Sequence, residues 1–188
     1  MKGFSEQPTT HYTRPFNVFR DEPAICENGI STFDMNLDYS RDFMRIYKKN
    51  GFFHFMHHKL YTHDQGQRDI RWIDDSFLNF FKEFNSDESL AQNTILVVYS
   101  DHGQRYSDKR SSIQGLLEER NPFFSVYIPG LFKERYPSEY ANFQSNQNVV
   151  LAPMDIHATL LDLIDLETVN ENQDEVNEFF YKVTLNKE

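Results

Sequence analysis

Cysteine is nearly absent from the chain. A lone thiol, Cys26, cannot close an internal disulfide, so cysteine counting does not assign a redox compartment. In a secreted protein, an odd thiol suggests a lost partner. Long hydrophobic runs are missing too. No stretch is long enough to cross a bilayer, and residues 1–20 hold no apolar signal-peptide core. The chain as given is therefore expected to stay where it is made. It contains no Asn-x-Ser/Thr sequon, so glycosylation lends no support to a secretory route. Positive charge is in short supply: 19 Lys and Arg stand against 29 Asp and Glu, a net −10. That balance excludes general attraction to nucleic acid phosphates or to anionic membranes. It leaves an anionic substrate open, because a bound dication reverses the local field.

What is present describes one globular domain. A length of 188 residues allows a real core, and 39% hydrophobic with 26% charged residues fits a folded chain. Eighteen Phe and ten Tyr point to a large aromatic core or to an exposed aromatic face.

The chain is organised around residues 94–103, TILVVYSDHG. A short Val/Ile-rich run without alternation predicts a strand covered on both faces, as in a parallel sheet. Its polar C-terminal end is where open α/β sheets bind ligands. Asp101 offers a hard anionic oxygen and His102 an imidazole nitrogen, a pair suited to Zn²⁺ or Mn²⁺. Gly103 is expected to let the backbone turn sharply where a side chain would block it. The same residues also read as a strand followed by an Asx turn, with His102 merely exposed.

Around this strand the pattern alternates. Residues 1–36, broken by Pro8, Pro15 and Pro23, read as an irregular arm, in which Thr9, Thr10 and His11 are ordinary loop residues. Residues 37–50 predict a helix capped by Asn36 or Asp38, with a stripe of Tyr39, Phe43, Ile46 and Tyr47 and a stop at Asn50-Gly51. GFFHFM, residues 51–56, predicts an aromatic strand with His54 packed or at its rim. If the strand continues, His57 and His58 point to opposite faces, and at most one can serve a shared site. His63-Asp64 is the better candidate pair, or else a turn with Asp64 near the next helix's N-terminus. Residues 68–84 predict a helix striped by Ile70, Ile73, Phe77, Phe80, Phe81 and Phe84. Residues 85–92 read as a polar connector. Residues 104–110 read as a loop over the strand ends, with Arg105 either solvated or facing an oxyanion. A third strand is expected over 123–128, short helical pieces over 131–136 and 138–144, a fourth strand over 149–151, and a helix over 153–164 burying Ile156, Leu160, Leu163 and Ile164. Asp155 complements that helix's dipole, and His157 either touches the core or supplies a distant ligand. Residues 167–188 form an acidic tail in which Phe179, Phe180 and Tyr181 suggest a closing strand. Helix, strand, helix, strand implies α/β: a mainly parallel sheet flanked by helices, joined by right-handed crossovers.

SDHG after an apolar strand, then EERNPFFSVYIPG, then PMDIHATLLDLI, resembles the order of the alkaline phosphatase and sulfatase superfamily. The nearest likeness is to its sulfatase-like DUF229 family, with a KGF…P…HY…RP opening, Cys followed by Gly, HD before a helix, SDHG and LEER-x-PF. The likeness covers residues 1–166. It implies an alkaline-phosphatase-like fold, incomplete in this chain, and a metal-dependent hydrolase acting on phosphate or sulfate esters. Asp101 and His102 would bind one divalent metal, Zn²⁺ or Mn²⁺ with Ca²⁺ or Mg²⁺ as alternatives. Asp64 would belong to a neighbouring metal site, and His63 would contact that metal or the transferring group. An extracellular or secretory location follows from the same likeness. Two features depart from the pattern. Arg68 stands where related phosphodiesterases carry a second His, and no segment with the superfamily's nucleophile is found. Cys26, in Cys26-Glu27-Asn28-Gly29-Ile30, lacks the sulfatase modification context. The chain is thus expected to be the C-terminal part of a catalytic domain, 1–166, with a missing N-terminal half or an oligomer partner. Three functions compete: a hydrolase, a truncated or degenerate non-catalytic member that binds metal or a partner without turnover, and a module that only sequesters zinc.

Overall fold

The computed structural model describes residues 9–11, 13, 26–27, 29–58, 61–62, 69–103, 105 and 108–164. They belong to two compact units, 1–137 and 138–188.

The first unit opens on a two-stranded antiparallel ribbon, β1 (Cys26–Glu27) and β2 (Ile30–Ser31), turned by Gly29 at φ +81°. Helix α1 follows over Thr32–Tyr47: it contains most of the helix expected over 37–50 and begins inside the span expected to be an irregular arm. Its cap is Ser31, whose Oγ accepts from the Phe33 N–H at 3.2 Å, not Asn36 or Asp38. Starting a turn earlier brings Phe33 into the helix and changes its inner face. Phe33, Leu37, Ser40 and Met44 are buried, whereas Tyr39 and Ile46 of the expected stripe are 42% and 69% exposed. Beyond Tyr47, a turn closes through the Asn50 N–H to the Tyr47 carbonyl and Gly51 at φ +74°, the stop expected from Asn-Gly.

Residues 51–58 then run extended along α1 without ladder pairing among the described residues. Exposure alternates with the period of a strand: Phe52, His54, Met56 and His58 face inward, while Phe53 and Phe55 face out. The inward set is zipped to α1 one helical turn at a time. His54 Nε2 meets Ser40 Oγ at 2.9 Å, and Asn36 Nδ2 donates to His58 Nδ1 at 3.3 Å. The Ser40 hydroxyl in turn donates to the Asn36 carbonyl. His58 stacks on Tyr61 and meets Phe33 edge-on, and His54 stacks on Phe43.

A 3₁₀ turn, Asp69–Ile73, leads into α2, Asp74–Ser86. Its stripe behaves largely as expected: Ile73, Phe80 and Phe84 are buried and Phe77 and Phe81 partly so, but Ile70 is 53% exposed. With Phe33, Leu37, Met44, Tyr61 and Leu90 they form the core. Each such side chain contributes about 1.5–3 kcal/mol on burial. The expected polar connector is a helix, α3, Glu88–Asn93, because Asp87 caps it by accepting from the Leu90 N–H and its buried face is Leu90 and Ala91. Asp87 also takes a 2.7 Å bond from Lys48 Nζ beyond the end of α1, which holds its carboxyl below the ordinary carboxylate range.

Strand β3, Leu96–Tyr99, is half-buried and not covered on both faces. It is followed by a 3₁₀ turn, Asp108–Ser111, helix α4, Ile113–Arg120, and strand β4, Phe124–Tyr127. The α/β character stands, but β3 and β4 pair antiparallel, with Leu96 opposite Tyr127 and Tyr99 opposite Phe124. The expected parallel crossover fails here for a geometric reason. Helix α4 docks against the C-terminal end of β3, so it returns the chain to that end instead of carrying it to the other. Tyr127 Oη then donates to the Ala91 carbonyl, and α5, Gly130–Arg135, buries Phe132.

Helix α6 covers Pro137–Ser145. The second unit continues with a 3₁₀ turn, Asn146–Asn148, and α7, Pro153–Ile164, the expected helix. Asp155 Oδ2 accepts from the Ala152 N–H at 2.7 Å, serving the N-terminal role expected of it. Ile156, Leu160 and Leu163 are half-buried, Ile164 is 66% exposed, and His157 is exposed instead of touching a core. Residues 149–151 form no strand, and Val150 is 97% exposed. The closing strand expected at 179–181 lies outside the described residues.

Burial pushes the His58 imidazole down to about 4, with the neighbouring His57 adding to the effect, and burial also lowers His54. The unfolded chain therefore binds more protons than the folded one between pH 6.5 and about 4. The stabilisation is complete above pH 6.5 and is lost as pH falls through that window. Urea unfolding should show about 2 kcal/mol less stability at pH 4.5 than at pH 7.5 from this group. His58→Phe, which keeps the ring packing, should flatten that slope.

Candidate functional site

The Asp101 turn is built by the pairing of β3 and β4. The ladder extends one step past the strands, with the Ser100 N–H donating to the Phe123 carbonyl at 2.9 Å and Ser100 Oγ accepting from the Phe123 N–H at 2.9 Å. Ser100 thus ties down both polar groups of Phe123, and the chain leaves β3 in one defined direction. Asp101 follows with its side chain 68% exposed, and His102 with 28%.

Gly103 is where α4 arrives. Its N–H donates to the Glu119 carbonyl at 3.0 Å, satisfying one of the orphan carbonyls at the end of a helix. A Cβ at this position would lie 2.0 Å from the Glu118 carbonyl oxygen and 2.9 Å from Glu119 Cα. The residue is required because two backbones touch. Among the described residues the positive-φ glycines are Gly29 and Gly51; at Gly103 the expected block to a side chain is what the structure shows, and its cause is the close approach of α4.

The local bonds orient the imidazole. The His102 N–H donates to Asp101 Oδ1 at 2.9 Å, and His102 Nδ1 lies 2.7 Å from the Gly103 carbonyl. A carbonyl only accepts, so Nδ1 carries a proton, and in the neutral ring Nε2 is then the nitrogen with the lone pair. Nε2 stands 3.4 Å from Asp101 Oδ2. Two ligand atoms bound to one tetrahedral Zn²⁺ at about 2.0–2.1 Å sit about 3.3 Å apart. An Nδ1–H bonded to a backbone carbonyl is the usual outer partner of a metal-ligating histidine. The donor set and the tautomer therefore fit a divalent cation held by Nε2 and a carboxylate oxygen.

Among the described residues, no three His, Cys, Asp or Glu side chains gather to hold an ion. His63 and Asp64, the expected companions, lie outside the described residues. Arg105 is exposed. The remaining histidines of the first unit serve other ends. His54 and His58 are zipped to α1, His57 points outward, and His11 packs on Phe43 and Tyr47, with Nε2 2.6 Å from Tyr47 Oη. Thr9 Oγ1 donates to the His11 carbonyl, a loop contact.

Sequence reasoning missed two residues. One is Ser100, read only as the start of a polar run. The other is Glu119, whose main-chain oxygen holds Gly103 and whose carboxylate meets Arg110 Nε at 2.8 Å. The LEER spacing before Pro122 was the available signal, but it names no partner until α4 is folded.

Gly103→Ala should cost about 1–3 kcal/mol in urea unfolding, the usual range for forcing an atom into a packed site. Amide exchange should quicken more at residue 103 than at Leu37 and Phe80, where it follows the loss of global stability.

Comparison with curated proteins and with solved structures finds no match. A family model does match, over residues 1–182, described as a protein of unknown function (DUF229). The match spans nearly the whole chain, including the β3–α4–β4 segment that builds the Asp101 turn. The chain belongs to the DUF229 family.

Proposed function

We propose that this chain is part of a metal-dependent hydrolase related to phosphatases and sulfatases, acting on phosphate or sulfate esters, with Asp101 and His102 as ligands of a divalent ion. The carrying observation is the His102 tautomer, with Nδ1 committed to the Gly103 carbonyl and Nε2 free to ligate 3.4 Å from Asp101 Oδ2. In this reading Asp64 contributes to a neighbouring site and His63 contacts the metal or the transferring group. The complete fold would be a mainly parallel, alkaline-phosphatase-like sheet that β3 and β4 enter as an antiparallel pair. Zn²⁺ or Mn²⁺ is favoured by the mixed oxygen and nitrogen donors, over Ca²⁺ or Mg²⁺. Once bound, the ion would polarise the ester and stabilise charge on the attacking and leaving oxygens. Asp101 and His102 hold their donor atoms in place before binding, because Ser100 and Gly103 leave the turn little freedom. Ligation needs a neutral imidazole and an ionised carboxylate, so binding weakens in acid. The superfamily relation and the secretory location it implies belong to this proposal.

A second reading, a family member that binds metal or a partner without turnover, is favoured by exposed aromatics. Phe53, Phe55 and Phe123 are 60–62% exposed. Such side chains suit a surface that another polypeptide covers.

Titration calorimetry of the chain with Zn²⁺ and with Mn²⁺ at pH 7.5 tests the ligand assignment. Binding should occur, weaken at least tenfold in Asp101→Asn and His102→Gln, and weaken in acid. Absence of binding, or undiminished binding in both variants, overturns it. Hydrolysis of aryl phosphate and sulfate esters by the metal-loaded chain then separates the two readings.

A further inference from the structure

We infer that Glu119 is a positioning residue for the Asp101–His102 pair, holding both ends of the chain between Gly103 and Arg110 against α4. This inference rests on the metal-ligand reading above. Two bonds from one residue carry it. The Glu119 carbonyl accepts from the Gly103 N–H at 3.0 Å, and its carboxylate accepts from Arg110 Nε at 2.8 Å. Gly103 follows His102 directly and accepts the proton of His102 Nδ1 on its own carbonyl. A shift of Gly103 therefore moves the hydrogen bond that selects the ligating tautomer. Arg110 lies in the 3₁₀ turn that leads through Ser112 into α4, where Ser112 Oγ caps the helix by accepting from the Gly115 N–H at 3.0 Å. The excursion from β3 is thus closed at its start and at its end on the same residue of the helix that terminates it.

The burial of the pair supports a fixed contact. The Glu119 side chain is only 13% exposed, whereas Arg110 is 55% exposed. A partly buried carboxylate loses more when its charged partner goes than one on an open surface does. The neighbouring Glu118 is used differently: its Oε1 accepts from Gln114 Nε2 along α4. The two acids of the LEER motif therefore divide into one that supports the helix and one that holds the turn. The C-terminal end of α4 also brings carbonyl oxygens to Gly103, a polarity that favours a cation nearby.

The test uses Glu119→Gln and Arg110→Gln, which break the ion pair from either side. Asp87→Asn serves as a control that weakens the fold away from the turn. Affinity for Mn²⁺ by calorimetry and limited trypsin cleavage at Arg105, Lys109 and Arg110 are the readouts. In Arg110→Gln, cleavage is followed at the two remaining sites. Both turn variants should bind Mn²⁺ about tenfold more weakly, the usual effect of losing an outer-sphere partner, and be cut at least fivefold faster. Asp87→Asn should lower the melting temperature without changing affinity. Wild-type affinity in both turn variants overturns the inference. If the wild-type chain binds no Mn²⁺ or Zn²⁺, the metal reading fails, and the proteolysis arm alone decides whether Glu119 holds the excursion; unchanged cutting then overturns the inference too.

Discussion

The contact between Gly103 and the last turn of α4 is the constraint on which the Asp101 turn depends. Two backbones meet there closely enough that no side chain fits between them. The meeting point sets where α4 ends, and the end of α4 sets where Phe123 begins to pair with Ser100. From that pairing come the antiparallel register of β3 with β4 and the direction in which Asp101 and His102 leave the strand. A single hydrogen bond, from the Gly103 N–H to the Glu119 carbonyl, satisfies a helix end and a turn at once. Such shared bonds make the region cooperative, because neither the helix nor the turn keeps its polar groups satisfied alone.

The hydrophobic core holds the other side of β3. Phe33, Leu37 and Met44 of α1 meet Ile73, Phe80 and Phe84, and Leu90 of α3 and the partly buried Leu96 of β3 extend that cluster to the strand. The Lys48–Asp87 pair joins the end of α1 to the start of α3 and doubles as the α3 cap. Along α1, the extended residues 51–58 are held by alternate side chains, two of them histidines whose burial disfavours the charged form. Aromatic stacking with a few side-chain hydrogen bonds takes the place of a backbone ladder among the described residues there. That choice makes the segment sensitive to protonation in a way that a paired strand is not.

The geometry of the Asp101 turn rests on a few atoms whose roles depend on what else touches them. His102 turns Nε2 away from the backbone because the Gly103 carbonyl engages Nδ1. Asp101 keeps one oxygen for the His102 amide and turns the other toward Nε2. The SDHG and LEER-x-PF segments meet in space, through Gly103 with Glu119 and Ser100 with Phe123.

Local chemistry was legible in the residues. The stripe Ile73, Phe80, Phe84 announced α2, Pro153 and Asp155 announced α7, and the apolar run before Ser100 announced β3, because periodicity and caps act over a few residues. The inner face of α1 was misread, since Ser31 caps the helix a turn earlier than Asn36, and a cap is chosen by the backbone that precedes it. The 85–92 connector hid a helix for the same reason: Asp87 looks polar until it is seen to cap. Tertiary structure alone decided that β3 and β4 run antiparallel, that the backbone of α4 is what excludes a side chain at Gly103, and that Glu119 faces Arg110. These outcomes depend on where a distant helix lands, and no spacing along the chain encodes the distance between two backbones that meet only after folding.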